Sequence, residues 1–161
     1  IGGGYPEVLG SSLEKNQKMR KAIKDLAEKE IPIYAQCGGI MYLTKSIDYG
    51  IQKNKMVGLF DVKTKMTKKM KLSYTKGKIK SICIISKKSR NLRGHEFHYS
   101  ELDSIPRDSK FAYKLSIGNG IQNKQDGIMV YNTLASYGHL YFDSSDYAQT
   151  FVENCITMSR R

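Results

Sequence analysis

The stretch Ile31 to Leu43, IPIYAQCGGIMYL, decides how the rest of the chain is read. Ile31 to Ala35 is a short run of β-branched, aromatic and apolar residues with the composition of a buried strand, and Ile40, Met41 and Leu43 supply the apolar side of a short helix. Cys37 falls at the junction, followed by Gly38 and Gly39, which allow a tight backbone. A strand that turns sharply into a helix with a nucleophile at the bend is a nucleophile elbow: the side chain stands clear of the sheet, and the first N–H groups of the helix point at it. Those groups favour negative charge, so the layout predicts a lowered thiol pKa and a place for an oxyanion near Gly38. The plainer alternative for Cys37 is an ordinary buried thiol.

Upstream, Ser11 to Glu30 reads as one helix: Met19, Ala22, Ile23, Leu26 and Ala27 recur at helical spacing, lysines and Glu28 take the other faces, and Ser11 with Glu14 forms an S-x-x-E capping box. Helix followed by strand is the alternation of an α/β domain with a parallel sheet. Before the helix, Gly2, Gly3 and Gly4 with Tyr5-Pro6-Glu7 read as a strand end passing into a loop, or a plain flexible turn. Downstream, Met70 to Tyr74 and Lys78 to Ile85 read as the strands of a hairpin turning at Lys76-Gly77, and Gly127 to Tyr131 as a core strand. Tyr147, Ala148, Phe151, Val152 and Cys155 share one face of a closing helix, with Asp143 to Asp146 at its start and Arg160 and Arg161 at its end.

At 161 residues the chain is read as one domain, residues 1–161, large enough for a sizeable core. No apolar run approaches the roughly 20 residues of a membrane span and no signal peptide is present, so a cytoplasmic protein is expected. Cys37, Cys83 and Cys155 are odd in number and widely spaced, which argues against a disulfide framework or zinc site; Cys83 and Cys155 read as core residues. From Val62 to His95 there are ten lysines, two arginines and no acidic residue, so this window holds the whole net charge of +12. It is either a solvated basic edge or a collector for an anionic partner.

Four pieces carry a family resemblance in order: GGGYPE at Gly2 to Glu7, YAQCGGIMYL at Tyr34 to Leu43, RGHEFHYS at Arg93 to Ser100, and ASYGHLYF at Ala135 to Phe142. Together they resemble the glutamine amidotransferase domain of the cobyrinic acid a,c-diamide synthases, which hydrolyses glutamine through a cysteine thioester. The resemblance implies a three-layer α/β sandwich of the class I glutamine amidotransferase (flavodoxin-like) type with a mostly parallel central sheet. It implies Cys37 as nucleophile, His139 as general base, Gly3, Gly4 and Gly38 around the oxyanion, and Glu7 in the glutamine pocket. His95, Glu96, His98 and Tyr99 are implied near the active site, as substrate contacts or scaffolding. Tyr141 stands where the commoner HLHF form has a second histidine, and no glutamate follows His139 by two residues. What orients His139 is therefore open, with Asp143 and Glu96 as candidates.

The resemblance also implies partners: glutamine, a tetrapyrrole polycarboxylate, and an ATP-binding P-loop domain of the same polypeptide that uses ATP and Mg. No GxxxxGK[ST] occurs in this chain, and Ile1 runs straight into three glycines, so a fragment lacking its first strands and that upstream domain is expected, with no cofactor of its own. A metal is not expected, because His95 and His98 face opposite sides of a strand without further ligands. Three rivals remain: the same domain in a nickel sirohydrochlorin diamidating enzyme, a remnant with a dead active site, and a nucleic-acid-binding module suggested by a pI near 9.6. The last leaves CGG and SYGH unexplained.

Overall fold

The computed structural model describes residues 1–144 and 146–160. In chain order the elements are α1 (Gly10–Lys15), α2 (Gln17–Glu28), β1 (Ile33–Gln36), α3 (Gly38–Leu43), β2 (Ser46–Asp48), β3 (Lys53–Lys55), β4 (Lys63–Ile79), β5 (Arg90–Asp103), β6 (Lys110–Ile117), β7 (Gln125–Val130), β8 (Thr133–Ser136), β9 (His139–Leu140), a 3-10 turn (Phe142–Ser144) and α4 (Tyr147–Ser159). The strands form one nine-stranded sheet in the order β1-β8-β7-β6-β4-β2-β3, with β5 paired to β4 and β9.

Alternation along the strands builds three layers. Ile33 and Ala35 of β1, Ile128 and Val130 of β7, and Ala135 of β8 face one core with Ile23, Ala27, Ile40 and Leu43 from α2 and α3. Tyr34, Met129 and Leu134 face the opposite core with Tyr147 and Phe151 of α4. The α/β expectation thus holds. Parallel pairing, expected for most of the sheet, is found at β1–β8 and β2–β4, while the other six pairings are antiparallel. Consecutive strands such as β6–β7 and β7–β8 are joined by short connections with no crossover helix, which only antiparallel neighbours permit.

Four local expectations are corrected. The helix expected over Ser11–Glu30 is two helices: Asn16 breaks it, and its side chain accepts the Met19 N–H at 3.1 Å to cap α2. Glu14, assigned to a capping box, accepts instead from Asn54 Nδ2 at 2.8 Å. The hairpin expected to turn at Lys76-Gly77 is a single 17-residue strand, β4, passing through both residues and pairing with β5 from Lys63↔Asp103 to Ile79↔Arg90, with a bulge between Met66 and Lys71. Thr75, Gly77 and Ile79 are buried while Lys76, Lys78 and Lys80 are exposed, so the alternation never pauses and the glycine fits within the pleat. Cys83, placed in a strand by the same reading, lies in a tight turn whose Cys83 and Ser86 backbones exchange bonds of 2.9 and 3.0 Å.

At the start of α4 the Asp146 side chain makes no capping bond and pairs with Arg90 at 2.9 Å. The capping role given to the run through Ser145 and the helix-end role given to Arg161 rest partly on residues outside the described ones. Among the described residues no helix is long and apolar enough to cross a membrane.

Candidate active site

Cys37 sits between β1 and α3 with φ 52° and ψ −114°, a backbone that non-glycine residues rarely adopt and that a strand-to-helix elbow demands. The bend is pinned on both sides. The Cys37 N–H donates to the Ser136 carbonyl at 2.8 Å, and its own carbonyl accepts from Ile40 at 3.1 Å. The first of these bonds extends the parallel β1–β8 register, in which Gln36 faces Ser136. Three residues beyond Ser136 the chain reaches His139, so pairing of these two strands brings thiol and imidazole to one place.

Gly3 lies between them: a Cβ there would stand 2.7 Å from His139 Cε1 and 3.6 Å from Cys37 Cβ. The Gly2–Gly4 segment crosses the elbow so closely that a Cβ on Gly38 would overlap the Gly4 carbonyl, which makes glycine obligatory at position 38. The segment continues the ladder beside β1: the Ile1 amino group donates to the Tyr34 carbonyl at 2.7 Å, and Gln36 N–H donates to the Ile1 carbonyl at 3.2 Å. Backbone bonds from Gly38 and Gly4 both act on the Cys37 sulfur.

The expected lowering of the thiol pKa is reversed. Burial pushes the Cys37 thiol up and the Glu7 carboxylate pushes it further, while the Gly38 and Gly4 N–H groups oppose the rise without cancelling it. The thiol donates to the Phe97 carbonyl at 3.6 Å. His139 moves the other way: burial lowers its pKa, and His95 and His98 lower it further, so the ring is neutral at pH 7. A protonated thiol next to a neutral imidazole is a pair through which a proton can pass once an electrophile arrives.

Glu7, His98 and Tyr99 line a small cavity with Gly4, Cys37 and Met41. Its volume of about 20 Å³ holds about one water, less than a glutamine side-chain amide fills. His98 is buried, with Nδ1 2.9 Å from the Ser100 carbonyl and its ring stacked on Tyr137 at 3.8 Å between centroids. His95 lies on the other face of β5, exposed, with its ring against His139. Glu96 turns away from His139. Its carboxylate accepts the Asn119 N–H at 2.5 Å, Asn119 Nδ2 at 2.6 Å and the Gly120 N–H at 3.0 Å, and it stands 3.8 Å from His98 Nε2, within ion-pair range but too far for a hydrogen bond. Among the described residues no group of three His, Cys, Asp or Glu side chains is placed to hold a metal ion.

Sequence reasoning missed Asp126. Fully buried, it accepts N–H groups from Gly127, Tyr137 and Gly138 at 2.8, 3.1 and 3.0 Å and so fixes the turn that delivers His139. Burial raises its carboxyl to about 6 against those bonds. The available signal was an aspartate directly before a glycine within a run that is otherwise a core strand.

A thiol on a strained elbow, backbone N–H groups at the sulfur and a neutral imidazole across one glycine, set on three α/β layers, place the fold among the class I glutamine amidotransferases. A solved structure described as a glutamine amidotransferase superposes with a TM-score of 0.65 at 12% identity, covering 96% of this chain and 77% of that one. The chain belongs to the CobB/CobQ-like glutamine amidotransferase domain family, whose model matches residues 1–147. It is 46% identical over 145 residues to the cobyrinate a,c-diamide synthase of Sulfurisphaera tokodaii, covering 90% of this chain and 33% of that protein. To the enzyme of the same name from Methanosarcina barkeri it is 42% identical over 154 residues, covering 88% and 31%. The chain spans about a third of the length of the curated relatives it matches.

Proposed function

We propose that this chain is the glutaminase part of an ATP-dependent cobyrinic acid a,c-diamide synthase, a cytoplasmic enzyme that releases ammonia from glutamine to amidate two carboxylates of a tetrapyrrole. The observation that carries the reading is the β1–β8 register, which sets Cys37 and His139 on either side of Gly3. Cys37 gives its proton to neutral His139, and the sulfur attacks the glutamine amide carbon. The carbonyl oxygen takes up negative charge within reach of the Gly4 and Gly38 N–H groups. As the C–N bond breaks, His139 returns the proton to the nitrogen, and ammonia leaves a thioester behind. A water attacks the thioester while His139 accepts its proton; glutamate departs and the thiol is restored.

A thiol raised by burial suits this order of events, since it stays protonated until substrate and base are both in place. Ammonia then passes to the synthase part, where ATP with Mg activates the tetrapyrrole carboxylate. The deciding experiment uses the full-length enzyme. Cys37→Ala abolishes glutamine-dependent amidation and spares amidation with added ammonia, because the thiol serves only to liberate ammonia. Equal loss with both nitrogen sources in a folded variant refutes the assignment, and parallel assays with cobyrinic acid and nickel sirohydrochlorin decide the acceptor.

A further inference from the structure

Histidines paired with a nucleophile are often held by a third group, a carboxylate or an amide, that accepts from the ring. Here no hydrogen bond or ion pair joins His139 to a carboxylate among the described residues. Of the acids near the site, Glu96 binds the Asn119–Gly120 backbone, Asp126 binds Gly127, Tyr137 and Gly138, and Glu7 acts on Cys37. What does touch the ring is His95. The two residues are register partners in the β5–β9 pair, and their rings lie parallel within 9° with centroids 4.9 Å apart. The approach depends on the residue next to His95, because a Cβ at Gly94 would overlap the His139 carbonyl and force β9 away. Gly3 meets the same imidazole at Cε1. The ring is thus located by an aromatic face and a glycine backbone.

We propose that His95 is a positioning residue for His139, taking by ring stacking the place that a carboxylate holds in a cysteine–histidine–acid triad. The inference rests on the amidotransferase reading above. Stacking fixes the plane of the imidazole but leaves its nitrogens free, so His139 can take a proton from the thiol in one step and from water in the next without exchanging a hydrogen-bond partner. The titratable groups that act on this ring are His95, stacked on it, and His98, from the other face of β5; Cys37 lies across Gly3, with Glu7 of the N-terminal loop acting on Cys37. His95 disfavours the protonated ring, so its replacement by any uncharged residue moves the His139 titration upward.

The test measures glutamine hydrolysis by the full-length enzyme against pH for His95→Ala, His95→Phe and Cys37→Ala. His95→Ala lowers kcat about tenfold, part of the 10²–10⁴-fold that a positioned base supplies, with KM changed by less than about twofold. His95→Phe keeps a stacking face and recovers most of kcat, yet the acid limb of its profile lies at higher pH than in the parent. Parent-like kcat and pH profile in His95→Ala overturn the proposal, and so does a His95→Phe variant that folds but is as slow as His95→Ala. If His95→Ala does not fold, His95→Phe decides alone: near-parent kcat with a displaced acid limb supports the stack, and an unmoved limb overturns it. Hydrolysis that survives Cys37→Ala would sink the amidotransferase reading itself, whereas a dead Cys37→Ala beside an unaffected His95→Ala sinks only the role of His95.

Discussion

Replacing Glu96 by glutamine removes a charge that the fold is built to hold. The residue is wholly buried, and burial by itself would raise its carboxyl; the contacts from His98, Asn119 and Gly120 outweigh that and hold it down to about 2, against an ordinary value of 4.5. At about 1.4 kcal/mol per pH unit, that difference is worth about 3 kcal/mol of folding stability. Because the folded-state value is the lower one, the contribution is complete above pH 4.5 and is lost as pH falls through 2. About 2 kcal/mol of it is gone by pH 3 on the same linkage. Glu96→Gln cannot carry the charge and loses at least one of the acceptors used by Asn119 and Gly120. Urea unfolding of parent and variant at pH 7, 5, 4 and 3 should therefore give curves about 3 kcal/mol apart at pH 7 that close toward about 1 kcal/mol at pH 3, apart from any constant offset of the lost acceptor. A gap that stays constant over this range would show that Glu96 is not held ionised by these contacts.

Gly38→Ala should cost about 1–3 kcal/mol of stability and most of the glutaminase rate, since the new methyl group and the Gly4 carbonyl cannot share the space; thermal melts and steady-state kinetics check both, and a parent-like variant would mean that the Gly2–Gly4 segment does not lie across the elbow. The lysines Lys68, Lys69, Lys78 and Lys80 are exposed on β4 and the turn after it, whereas Lys71 is tied to Glu101 at 3.0 Å. Changing these four exposed lysines to glutamine should lower kcat/KM for a polyanionic tetrapyrrole at low salt, with convergence at high salt over a Debye length of about 8 Å at physiological ionic strength, and should leave glutamine use unmoved. Coincident curves at every salt concentration would reduce these lysines to a soluble edge.

The elbow was legible because strand, bend and helix are each written locally, in Ile33 to Gln36, Cys37 with its glycines, and Ile40 to Leu43. The α/β layering was legible for the same reason, since single-strand and single-helix periodicities reveal which residues face a core. What failed were features set by distant partners. Gly77 resembles a turn residue only until its neighbours Thr75 and Ile79 are known to be buried. Asn16 lies within a helical pattern, yet it caps α2 through Met19, and Glu14 just before it bonds Asn54, forty residues away, a partner no local pattern reveals. The thiol pKa was misjudged because sequence reveals the helix N–H groups but not the depth of burial that outweighs them. Asp126 was invisible because its three backbone partners come from two strand ends that only the sheet brings together.

The β1–β8 pairing has a consequence for synthesis. Gln36 and Ser136 are register partners a hundred residues apart. At ribosomal rates of roughly 5–20 residues per second, Cys37 waits about 5–20 s after it is made before its hydrogen-bonding partner Ser136 exists, and His139 follows directly behind. Until then the elbow lacks the strand that pins it, and its φ of 52° has nothing to enforce it. A nascent chain therefore carries Cys37 without the strand that pins it, and Cys37 and His139 can meet only after Ser136 has been made.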